Sequence, residues 1–312
     1  LYQAGSVLHV IPNKPKQAQA VVLHQLAAHG AAHTDRPTHR DVGVEHLVEE
    51  AGHWWDMRIR ADLAYGAVLM HEGPDMADRV REIYGLFGSV AEQAMLVGAV
   101  EIEIEYLRRA IANGDLPGGM IISQRWFSEH ESQTLLSVGH VLMNLVVRVG
   151  LLLPDARKQI LACKRFGDFV DERGSDDQAA WRSLSSKDLD AIRGVIAANG
   201  GKHLKTVVHE MKQLADSDAW TYVDRQRGED FHRWRRESSV LAGINSRPKP
   251  YTPATAIRVG INLDGYEDAN QMEEFIADIN RDAIGILCDT MSSIRTNLAE
   301  IVERLANGRQ MI

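Results

Sequence analysis

The chain has 312 residues, a formal net charge of -8 and a pI near 5.9; 45% of its residues are apolar, 25% charged and 6% aromatic. A chain of that size buries a core without disulfides or structural metal, and the balance excludes a collagen-like or wholly disordered protein. It also excludes a generally basic nucleic-acid coat, so any affinity for RNA or DNA must come from a local cluster of Lys and Arg.

Leu1 to Pro12 has no basic start and no small-residue cleavage pattern, so no signal peptide is expected there. Pro12 and Pro15 break regular structure, a helix is expected from Gln17 to about His29, and Gly30 to Arg40 reads as a loop. The apolar spacing of Val44, Leu47, Val48, Trp54, Trp55 and Ile59 predicts a long helix from Asp41 to about His71. Glu72-Gly73-Pro74 stops it, because the residue before proline is pushed out of the helical region. The clearest helical period runs from Asp75 to Ala112, and Asn113-Gly114 ends it. Inside it Glu101, Glu103 and Glu105 alternate with apolar residues, a strand-like pattern that the helical flanks override.

Leu116-Pro117-Gly118-Gly119 reads as a loop, and Glu129 to Leu153 as the most apolar helix. Its stretch Val138–Leu153 is shorter than the roughly 20 residues of a membrane span and contains His140, Asn144 and Arg148. It reads as a buried helix of a soluble bundle, with no membrane partner. Pro154 opens a short helix to about Phe166; Gly167 to Ser175 is a polar connector. A short helix is expected around Trp181, and Ser186-Lys187-Asp188 caps another that ends at Asn199-Gly200-Gly201. Further helices are expected over His203–Ala215 and from Ser217 to about Glu237. Ser238 to Asn262 holds Pro248, Pro250 and Pro253, with room for one short strand at Ala256–Leu263; the last helix runs from about Glu267 to Leu305. The expected fold is therefore all-α, a multi-helix bundle with a long C-terminal helix. Residues 1–237 form the bundle domain, 238–266 an extended linker or wrapping arm, and 267–312 the long helix, within the same domain or as an assembly element.

Cys163 and Cys288 have no partners at metal-motif spacing, which points to a reduced, cytoplasmic setting. Eight of the 13 histidines lie within the first 71 residues, a spread that reads as surface histidines rather than a metal site. No Gly-x-Gly-x-x-Gly, Walker loop, Gly-x-Ser-x-Gly or Cys-x-x-Cys is present, which removes most nucleotide-fold enzymes and serine hydrolases. No cofactor and no metal is expected.

The densest basic and aromatic run is Asp224 to Arg236, with Arg225, Arg227 and His232 at Arg-x6-His and Arg-x4-His spacing. Histidine exchanges protons near neutral pH and arginine stabilises charge on a phosphate. The run resembles the Arg-x(4–6)-His motif of HEPN-type helical ribonucleases. The resemblance spans about eight residues and the all-α class. It departs where that family has Asn, Asp or His after the arginine, since Gln226 follows Arg225 and Gly228 follows Arg227. It implies a metal-independent endoribonuclease, often dimeric, with His232 as acid–base, Arg225 or Arg227 on the phosphate and RNA as substrate.

Two other patterns compete. Glu50/His53 and Glu229/His232 are Glu-x-x-His pairs, with Glu101 or Glu105 as spare carboxylates, the ingredients of a di-metal bundle enzyme. Gln133, Ser137, His140, Asn144 and Arg148 form a polar line on the apolar helix, either its one exposed strip or the wall of a cleft. Finally, Ile276, Ile279, Ala283, Ile286, Leu287, Thr290, Ile294, Leu298, Ile301 and Leu305 form a stripe on the last helix. Its length suggests a homo-oligomer or a helical protein partner, the basis of a non-catalytic interaction or assembly reading.

Overall fold

The structure is a computed structural model that describes residues 36–71, 73–112, 119–152, 154–166, 181–199, 201–232 and 264–306. Eight α-helices account for nearly all of them: α1 (Glu45–His71), α2 (Pro74–Ala112), α3 (Gly119–Leu152), α4 (Pro154–Ala162), α5 (Ser186–Asn199), α6 (Lys202–Asp216), α7 (Asp218–His232) and α8 (Asp264–Ala306). The fold is an all-α multi-helix bundle, and no strand occurs among the described residues. The expected helix at Gln17–His29 and the expected strand at Ala256–Leu263 lie outside them, as does the arm expected over 238–266 up to residue 263; residues 264–266 open α8 instead.

Local chemistry explains the helix ends. Before α1, the Asp41 carboxylate accepts from the Thr38 amide and the Thr38 hydroxyl, both at 2.8 Å, closing a turn that aims the chain into the helix. Gly73 takes φ +89°, a left-handed conformation that favours glycine, and Pro74 occupies the first position of α2, where a missing N–H costs nothing. Ser185, not the expected Ser186, caps α5: its Oγ accepts from the Asp188 amide at 3.2 Å and donates to the Asp188 carboxylate at 2.9 Å. Ser217 serves two helices, donating to the Leu214 carbonyl at the end of α6 and accepting from the Trp220 amide at the start of α7.

α3 is the central helix. It packs on α2, α4, α6, α7 and α8, and every residue from Val141 to Leu152 is buried. Two helical stretches, Met76–Ala110 and Trp126–Leu152, are long and apolar enough to cross a membrane by length and composition. The stretch Val138–Leu152 lies within the second, whose most apolar 18-residue window is 89% buried inside the chain. α3 also begins ten residues before the expected Glu129, at the second glycine of the pair.

α8 packs on α1, α3, α6 and α7, and its buried seam is Ala277, Asn280, Ile284, Leu287, Met291, Ile294, Leu298 and Ile301. These are spaced by three and four, and Ala283 and Thr290 are buried beside them. Ile279 and Ile286 border the seam, half covered. Over Ala277–Ile301 the apolar face is therefore buried within one chain. Two arginines add to the seam: Arg295 binds Glu50 of α1, and Arg281 binds Glu101 of α2.

Candidate functional site

Arg225, Arg227 and His232 all fall on α7. They run from its middle to its last residue. Helical geometry separates the two spacings. Arg225 and His232, seven apart, share one register about 10 Å apart along the axis, while Arg227 stands about 140° round from His232. Trp220 and Val223 fix the buried side of α7, and Arg225 is exposed. Its guanidinium lies over the Tyr222 ring at 5.1 Å from the centroid, a cation–π contact that holds the charge at the surface. The side chains of Arg227 and His232 lie outside the described residues, as do Arg233 to Arg236.

The polar line on α3 is neither an exposed strip nor a cleft wall. Residues 181–185 form no helix, contrary to expectation, and run extended along it. Asn144 clamps the Arg182 backbone, donating to its carbonyl at 2.7 Å and accepting from its amide at 2.9 Å. Two residues on, the Leu184 amide donates to His140 Nδ1 at 3.0 Å. Side chains of a helix thus satisfy an extended segment as a neighbouring strand would. Arg148, buried at the end of the line, reaches the Glu82 carboxylate at 3.6 Å. Gln133 alone of the five is fully exposed.

The acids that a di-metal site requires are engaged elsewhere. Both oxygens of Glu50 receive Arg295, whereas His53 lines an open groove with Glu49, Gly52, Trp55, Asp56 and Met95. Glu101 and Glu105 both pair with Arg281. No group of three His, Cys, Asp or Glu suited to a metal ion occurs among the described residues. The side chains of Glu229 and His232 lie outside them.

On the opposite side of α3 from the polar line lies a buried layer that sequence reasoning missed. Gln124, Ser128, Glu131 and Ser132 share one buried face, where Ser128, Glu131 and Ser132 meet Asn280 of α8 and Glu131 neighbours Glu101 of α2. The Asn280 amide donates to Glu131 Oε2 at 2.8 Å and to the Ser128 carbonyl at 3.3 Å, while its Oδ1 accepts from the Ser132 hydroxyl at 3.1 Å. Arg281 Nε donates to Glu101 Oε1 at 2.5 Å. Glu101 and Glu131 are close neighbours in this layer, and Glu101 Oε2 and Glu131 Oε1 are buried with no hydrogen-bond partner. Burial pushes the Glu131 carboxyl well above the usual range, and the neighbouring Glu101 adds to it; burial also raises Glu101, against the pull of Arg281. The available signal was a polar residue, Asn280, in the middle of an apolar seam. No family model, curated protein or solved structure matches this chain.

Proposed function

We propose that the protein is a metal-independent endoribonuclease in which His232 acts as acid–base and Arg225 holds the phosphate. The observation that supports this reading is the joint placement of Arg225 and His232 at one register of α7, with Arg225 at the surface in the chain's most basic run. In this reaction the 2′-oxygen of a ribose attacks its own 3′-phosphate and the bond to the next 5′-oxygen breaks. The 2′-hydroxyl proton departs as the 5′-oxygen gains one, leaving a cyclic phosphate. An imidazole near neutral pH suits either transfer, and a guanidinium suits the charge that grows on the phosphoryl oxygens. Arg227, about 140° away from His232 on the helix, serves RNA binding rather than the reacting phosphate.

The test is cleavage of single-stranded RNA by the full chain in EDTA. Activity should fall by about a hundredfold or more in His232→Ala and in Arg225→Ala, and less in Arg227→Ala. Undiminished activity in His232→Ala, or an inert wild-type protein, overturns the reading.

A further inference from the structure

The layer between Glu101, Glu131 and Asn280 is independent of the motif on α7, and one buried oxygen of each carboxyl stays unpaired without one more proton. Glu131 Oε2 is occupied by Asn280 and Glu101 Oε1 by Arg281. The remaining oxygens, Glu131 Oε1 and Glu101 Oε2, are buried and have no partner when both groups are drawn as carboxylates. Yet the two carboxyls are close neighbours, and ionised carboxylates are acceptors only. A single proton between them satisfies both orphans at once. The charges agree: Arg281 is the cation on this pair from α8, with Asp278 on its far side; α2 adds Arg108 and Glu105; α3 adds the neutral Gln124, Ser128 and Ser132. One carboxylate against Arg281 is balanced, and two in a layer that excludes water are not.

We propose that this shared proton latches α8 to α2 and α3, and that its loss as the pH rises loosens α8 around Ala277–Ile284. The loosening stays local because the rest of α8 is held separately. Arg295 anchors it to Glu50 of α1, and Asn297 meets His203 of α6 at 3.1 Å. A glutamate that holds its proton more tightly in the fold than in the unfolded chain contributes stability that is complete below the ordinary carboxylate range. That contribution fades as the pH climbs through the folded-state value.

The test is amide hydrogen exchange on the full chain from about pH 5 to about pH 9, corrected for intrinsic base catalysis, in wild type and in Glu131→Gln. The glutamine keeps the geometry at every pH, with its amide donating to Glu101 and its carbonyl accepting from Asn280. Protection over residues 277–284 should drop by about tenfold or more across that range in wild type and hold level in the variant, while residues 295–301 stay unchanged in both. An equal drop in both proteins, or none in wild type, overturns the latch. Should the variant fail to fold, carbon-13 titration of the Glu131 carboxyl in wild type decides. A midpoint above that of exposed glutamates supports the latch, and an ordinary midpoint overturns it.

Discussion

Arg295 grips Glu50 by both carboxylate oxygens, Nε to Oε1 at 2.6 Å and Nη2 to Oε2 at 3.1 Å, joining α8 to α1 across 245 positions of sequence. The Glu50 side chain is only 6% exposed. Removing Arg295 leaves a carboxylate with no compensating charge in the core. Arg295→Ala should therefore destabilise the chain by about 3–5 kcal/mol, read from urea unfolding. A loss under about 1 kcal/mol would mean that the pair behaves like an exposed one.

Asn144 is the anchor of the extended segment 181–185. Asn144→Ala leaves the amide and carbonyl of Arg182 to find other partners against an apolar helix. The expected cost is about 1–3 kcal/mol, together with faster amide exchange at Arg182. A variant in which that amide remains as protected as in wild type would show that the clamp is dispensable.

The contrast between α2 and the segment at Trp181 shows what the sequence makes legible. The period over Val80, Ile83, Phe87, Val90, Ala94 and Val97 is set by one buried face, so α2 is readable from its own residues. Trp181 to Ser185 owes its extended form to His140 and Asn144, about forty residues earlier, and no local pattern reports that. α3 was legible only where it is most apolar; its first ten residues mix Ser123, Gln124 and Arg125 among apolar ones and start on the second glycine of a pair. The buried layer was half legible. Asn280 in an apolar seam and Glu101 in an apolar helix are anomalies that can be seen in one dimension, but their meeting with Glu131 is a fact of packing. For α7, the sequence supplied the candidate residues, and helical geometry puts Arg225, not Arg227, on the same register as His232.

The seam of α8 makes a sharp forecast for Ile294→Asp with Leu298→Asp. Both side chains are fully buried within the chain's own core. If the stripe were an interface between copies, the double variant would dissociate and keep its helicity. With the seam closed by α1, α3, α6 and α7, two carboxylates enter the core and the chain unfolds, with loss of the helical circular dichroism signal at 25 °C. Retained helicity at wild-type intensity would refute that placement.

Cys288 is half-buried on α8, and burial, with Glu50, Asp289 and Glu49 adding to it, pushes its thiol up to about 11. The thiolate is the species that reacts. In a Cys163→Ser background, alkylation by iodoacetamide at about pH 8 should be about a hundredfold slower than that of an unshifted thiol, rising steeply above about pH 10. A rate at pH 8 equal to that of a free cysteine would contradict the environment described.

At Gly139 the Trp220 ring of α7 packs directly on the backbone of α3. A Cβ built on it would lie 2.3 Å from Trp220 Cζ2, 2.7 Å from Cη2 and 3.0 Å from Leu184 Cδ2. Those are ring atoms of a fully packed tryptophan and a leucine whose backbone is tied to His140, so neither neighbour yields easily. Ala is otherwise a better helix residue than Gly by about 1 kcal/mol, so propensity and packing pull in opposite directions. The overlap is deep enough for packing to win, and Gly139→Ala should destabilise by about 1–3 kcal/mol. The two effects separate in a cycle: adding Trp220→Phe removes the atoms in conflict, and the alanine should then be neutral or stabilising relative to Trp220→Phe alone. Equal cost of Gly139→Ala in both backgrounds would show that α7 does not rest on α3 at this glycine.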